Sequence, residues 1–200
     1  MNRSSKALTL SKNTKTNLII LLCSFVVITF ACQMPYLQEV TCPLDNLLIE
    51  SADLPGDQWE EIGSRSYRDA PVRLGTDRIG TSFSTPTNGI VVEGVYSFCS
   101  VEETQDGYDE LAGEYWFELE PEGTTWTNLD IPDDVSLNAI EYRLECSVRP
   151  NQTKRSCWYI SRYENVVIGL KADMLIITNV DLFNIIELID QKVGACNESK

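Results

Sequence analysis

Two runs decide the fold: Ile140-Glu-Tyr-Arg-Leu-Glu-Cys146 and Cys157-Trp-Tyr-Ile-Ser-Arg-Tyr163. The first run and the start of the second alternate apolar and polar residues, the period of a strand with one face buried. Between them lies Arg149-Pro-Asn-Gln-Thr-Lys-Arg155, a polar, turn-rich loop. Two alternating runs around such a loop read as a β-hairpin. Cys146 and Cys157 then face each other near the loop end and are placed to bridge. Closing a loop of roughly ten residues contributes about 2–3 kcal/mol in the chain-entropy picture.

Downstream, Asn165-Val-Val-Ile-Gly-Leu170 is apolar enough for a central strand, read here as the continuation of the hairpin's second strand. Arg162-Tyr-Glu-Asn165 interrupts it, so Arg162 is placed on the opposite sheet face. There it meets either a ligand or, as the plainer reading, a cross-strand ion partner. Asp173–Thr178 extends or pairs with this strand. Asp181 then caps a last helix with Leu182, Ile185, Ile186 and Ile189 on one face, ending near Gly194.

Upstream, Ile90-Val-Val-Glu-Gly-Val-Tyr-Ser-Phe-Cys99 has the highest β-branched and aromatic content in the chain. The Asn88-Gly89 turn joins it to a short strand at Ile79–Ser84. Ser100 caps a helix carrying Tyr108, Leu111, Ala112 and Tyr115 to about Glu118. Trp126–Pro132 reads as a connector. Leu44–Ile49 reads as one or two helical turns stopped by Pro55-Gly56, and one strand is placed near Ser66–Arg68. Helices interspersed with hairpins indicate an α+β fold, an antiparallel sheet with helices packed on one face and stapled by disulfides.

The N-terminus says where the chain works. Arg3, Lys6, Lys12 and Lys15 precede an apolar run from Leu18 that ends at Ala31-Cys32, with no acidic residue before Glu39. That is the layout of a secretory signal peptide. The run falls short of the about 20 residues that a spanning helix needs. Residues 1–31 are read as the signal peptide, 32–43 as a tether and 44–196 as one globular extracytoplasmic domain. The segment resembles a bacterial lipoprotein signal, which implies diacylation of Cys32, the new N-terminus, and membrane attachment through that lipid. Thr29 and Phe30 depart from that motif. Thr29-Phe-Ala31 also suits ordinary signal peptidase, so a soluble secreted form and an uncleaved anchor stay open.

Cleavage before Cys32 leaves 12 basic against 30 acidic residues, a net charge of −18. Such acidity argues against nucleic-acid partners. Histidine is absent, which excludes Ser-His-Asp and Cys-His catalysis and weakens the case for an enzyme. Six cysteines lie at or after the cleavage site. They read as disulfides in an oxidising compartment, and no Cys-x-x-Cys suggests zinc or redox chemistry. Cys42 with Cys196 is the second expected pair, and Cys99 is the expected odd one out.

No metal or cofactor site is expected. The acidic clusters read as solvated surface, with calcium at Asp130–Asp134 as the lesser reading. Trp116, Trp126, Trp158 and Arg162 are the weak candidates for a ligand-binding groove, set against core packing for the tryptophans.

Leu48-Ile-Glu-Ser-Ala-Asp-Leu-Pro-Gly56 followed by Trp59 resembles the opening of many bacterial envelope lipoproteins of unknown function. The strand–helix–Trp–hairpin–helix order over residues 44–193 resembles the extracellular sensor domains of bacterial receptor Ser/Thr kinases, which also carry disulfides. The resemblance implies the same α+β fold and a role in sensing a ligand or binding an envelope protein, and no catalytic residue. The alternatives are a carboxylate-based hydrolase of envelope polysaccharide, which needs two acidic groups in an aromatic cleft, and a structural subunit of an envelope complex.

Overall fold

The computed structural model describes residues 43–56, 58–65, 77–87, 89–115, 124–148, 155–174 and 177–198. The segments read as signal peptide and tether, up to Cys42 and including Cys32, lie outside them, as do Trp116, the turn residue Asn88 and the strand expected near Ser66–Arg68.

Seven strands form one sheet in the order β1-β2-β3-β7-β6-β5-β4, with every neighbouring pair antiparallel. They are β1 (Glu60–Arg65), β2 (Asp77–Ser84), β3 (Ile90–Ser97), β4 (Thr125–Asn128), β5 (Glu141–Val148), β6 (Arg155–Arg162) and β7 (Val166–Asp173). Helix α1 spans Val101–Glu110 and runs into a π-helical turn at Leu111–Tyr115. Helix α2 spans Asn179–Glu198. Two short 3-10 turns, Leu44–Leu47 and Ser51–Asp53, precede β1.

The antiparallel sheet with helices is the architecture expected from the patterning. Its helices divide between the faces. Inward residues Val91, Val95, Leu144, Tyr159, Ile168 and Leu170 meet Leu182, Ile185, Ile186 and Ile189 of α2 in the main core. The N-terminal turns add Leu47, Leu48, Ile49 and Leu54 to the same core. On the other face Tyr96, Phe98, Ile160 and Val167 meet Tyr108, Leu111 and Ala112 of the α1 region in a second, smaller cluster. The central strands β3, β6 and β7 are buried on both faces, which is why they read as nearly continuous apolar runs.

The hairpin of β5 and β6 pairs Cys146 directly opposite Cys157, and the two are disulfide-bonded. The expected continuation of its second strand is corrected. Tyr163–Asn165 is a tight reversal, closed by the Tyr163 amide donating to the Val166 carbonyl at 2.8 Å. β7 then returns antiparallel to β6. A second correction concerns Trp126–Pro132: Thr125–Asn128 is an edge strand on β5, too short to show a period.

Ser100 caps α1 as expected, accepting the Glu103 amide. For α2 the cap is Thr178 rather than Asp181. The Thr178 hydroxyl accepts the Asp181 amide at 3.2 Å, and the Asp181 carboxylate accepts the Thr178 amide at 2.9 Å. This reciprocal capping box moves the helix start three residues earlier than expected. After Pro55, Gly56 takes φ +82°, the left-handed conformation that a Pro-Gly turn requires. That turn returns Trp59 so that its indole donates to the Pro55 carbonyl at 2.9 Å.

Among the described residues, no helix is long and apolar enough to cross a membrane. Cys99 and Cys196 are also disulfide-bonded. Cys99 is therefore not the odd thiol that its place at a strand end suggested, while Cys196 is bonded and Cys42, its expected partner, lies outside the described residues.

Candidate functional site

Trp126, Trp158 and Arg162 share one sheet face, the side on which α1 packs. Cross-strand register places Trp126 opposite Ser147, Trp158 opposite Glu145 and Lys171, and Arg162 opposite Glu141. Trp158 is buried, with the Lys171 ammonium 4.4 Å from its ring centre. That cation occupies a ring face which sugar stacking would need. Arg162 is buried and pairs with Glu141 at 3.4 Å, the cross-strand ion pair weighed against a ligand contact. Next to it Arg143 pairs with Glu145 at 2.7 Å and also donates to the Ala112 carbonyl, tying β5 to the end of the α1 region. Burial, with the Glu141 charge next in weight, pushes the Tyr108 phenol up to about 12, so it stays neutral. Trp126 is half-buried on the edge strand.

Two concavities lie elsewhere. One, of about 440 Å³, opens between the 128–133 connector and β5, with Asp130, Asp133, Tyr142 and Arg143 in its wall. Most of its lining is exposed or half-exposed. The other, of about 340 Å³, lies between the N-terminal turns and the β1–β2 edge. Its floor is Leu48, Ile49, Thr81 and Phe83, all buried, and its rim is Asp45, Glu50, Ser51 and Glu61. The concavity is of a size to seat a small ligand. No group of three His, Cys, Asp or Glu side chains among the described residues is arranged to hold a metal ion. Asp130, Asp133 and Asp134 stand exposed on the connector.

Behind the second pocket stands a residue that sequence reasoning passed over. Glu93 occupies an inward position of β3 between Val91 and Val95 and has no solvent exposure. One carboxyl oxygen accepts the Ile49 amide at 2.7 Å, and the other has no hydrogen-bond partner. Burial pushes its pKa up to about 8, against smaller downward pulls from the Ile49 amide and the Lys192 charge. Lys192 of α2 clamps the same turns, donating to the Leu48 carbonyl at 2.6 Å and to Asp53 at 3.1 Å. The signal was present in the sequence: a carboxylate at an inward position of the most strand-like segment either finds a partner or shifts its pKa.

Asp190 is a second buried carboxylate, on the core face of α2. It accepts the Asn138 amide at 2.8 Å, the Ala139 amide at 3.1 Å, the Asn138 side chain at 2.8 Å and the Tyr163 hydroxyl at 3.2 Å. Its bonds pin the connector to the helix, which is structural work. Glu93, for its part, is sealed from solvent and has no route to a substrate.

No family model matches the chain, and no curated protein matches it. Among solved structures, the extracellular domain of PknH from Mycobacterium tuberculosis superposes with a TM-score of 0.55 at 17% identity, covering 76% of this chain and 94% of that one. The likeness shows a shared fold. A GTP-binding regulator from Thermotoga maritima superposes at 0.38 with 12% identity over 78% of this chain and 90% of that one, too slight a likeness to inform the fold.

Proposed function

We propose that this chain is an extracytoplasmic ligand-sensing or protein-interaction domain held at a bacterial membrane by its N-terminus. The observation that carries the reading is the fold it shares with the PknH extracellular domain across 94% of that domain. The export-type N-terminus and the bonded cysteines at 99, 146, 157 and 196 support the same compartment. The ligand seat in this reading is the 340 Å³ pocket, because its floor is buried and its rim is not. Asp45, Glu50 and Glu61 at the rim favour a small ligand with a cationic group.

Thermal-shift screening of the purified protein against envelope-derived small molecules tests this. A binder at a hundredfold excess over its Kd stabilises the fold by about 2.7 kcal/mol. Ser51→Trp at the exposed rim fills the mouth and abolishes the shift without touching the core. A shift that survives Ser51→Trp places the ligand elsewhere.

The lipid anchor on Cys32 belongs to the same proposal. With its sulfur acylated, five cysteines remain in the mature chain and cannot all pair within one molecule. The intact mass of protein from host membranes, alkylated without reduction, decides. Acyl mass beginning at Cys32 supports the tether. A mass with no acyl chain and no free thiol means a secreted domain with three disulfides.

A further inference from the structure

We propose that residues 43–56 form a proton-dependent latch, docked on the sheet while the Glu93 carboxyl is neutral and loosened when it ionises. The geometry is a three-way junction. Glu93 reaches from the middle of β3 to the Ile49 amide, 44 positions away in sequence. Lys192 reaches from α2 to Leu48 and Asp53 in the same turns. No other described side-chain hydrogen bond ties the turns at Leu44–Asp53 to the sheet.

Glu93 lies under these turns at zero exposure, with one oxygen unpartnered. A neutral carboxyl tolerates that position at modest cost, and a carboxylate does not. The surrounding charges do not rescue the ionised form. Lys192 favours it, but Asp53 opposes it and already holds the ammonium. From the flanking strands its register neighbours are the uncharged Thr81 and Leu170. Beyond Thr81 stands Glu61 of β1, another carboxylate, at 3.4 Å from the Thr81 hydroxyl. An ionised Glu93 regains water where Ile49 and the turns that cover it lift, against the burial of Leu47, Leu48, Ile49 and Leu54. The pKa near 8 puts that event within reach of ordinary pH changes outside a cell. The latch also carries Leu48, Ile49, Glu50 and Ser51, so its opening dismantles one wall of the 340 Å³ pocket. The latch stands whether or not that pocket binds a ligand.

Hydrogen exchange with mass-spectrometric readout, on the full chain in detergent micelles, tests the proposal. Protection factors corrected for intrinsic exchange are compared from pH 6.5 to 9.5. Peptides within 43–56 lose protection by about tenfold per pH unit up to the Glu93 titration near 8, where one proton is released per opening, and level off above it. Peptides from β7 and α2 exchange only through larger openings and stay well above the latch peptides in protection at every pH of the range. In Glu93→Gln, which stays neutral, the latch peptides keep their protection at pH 9.5. Constant protection of 43–56 in the native protein overturns the latch, as does an equal loss in Glu93→Gln. A carbon-detected NMR titration gives a check free of any variant: a Glu93 carboxyl that titrates below pH 6 overturns it as well.

Discussion

Glu93 makes stability depend on pH in a direction opposite to that of most carboxylates. Its folded pKa of about 8 lies above the ordinary 4.5, so the folded state binds its proton more tightly than the unfolded chain does. The stabilisation is complete below pH 4.5 and is lost as pH rises through about 8, a change on the order of a few kcal/mol. Urea denaturation at pH 5, 7 and 9 should show the native protein weakening along that series and Glu93→Gln staying nearly level. Parallel curves would show that Glu93 titrates normally. Asp190 stabilises the fold through satisfied bonds. Asp190→Ala leaves two backbone amides and the Tyr163 hydroxyl without an acceptor and should cost about 3 kcal/mol. Its signature is faster amide exchange at Asn138 and Ala139. Neither residue stood out in the sequence reading. Acidic residues were weighed there as clusters, whereas these two act singly from inward positions.

At the scale of elements, α1 is held against the sheet by a close approach at Gly107. A Cβ built there falls 2.2 Å from Phe98 Cζ and 2.5 Å from Cε1. Gly107→Ala gains about 1 kcal/mol of helix propensity and loses about 1–3 kcal/mol to overpacking, so the net effect should be destabilising. Circular dichroism melts check the sign, and a stabilised variant would mean that α1 slides freely on the sheet. Helix, hairpin and last-helix positions were legible because each carries a period and a cap signal over eight or more residues. β4 was not, since four residues on an edge show neither. The turn at Tyr163–Asn165 was not legible either. Without Gly or Pro, a three-residue reversal between two buried strands looks like one long strand.

For the whole molecule, the disulfides work on a sheet that already has a core. Replacing Cys146 and Cys157 by alanine should lower stability by about 2–3 kcal/mol while leaving the domain folded, as equilibrium denaturation would show. Peptide mapping after alkylation without reduction should label none of Cys99, Cys146, Cys157 or Cys196. A label at Cys99 would return it to the role of the odd thiol.

The sequence by itself determined the α+β class, the antiparallel hairpin with its bridge, the two helix positions and the basic-then-apolar order of the N-terminus. These rest on local periodicity, cap chemistry and charge order, all of which act over a few residues. Only the tertiary structure decided that α1 and α2 cover opposite faces, that β7 returns to pair with β3, and that Trp158 and Arg162 are committed to Lys171 and Glu141. It alone brought Ile49, Glu93 and Lys192 together from three distant parts of the chain. Such choices depend on which apolar faces meet and which charges are sealed from water, and sequence separation carries no information about either.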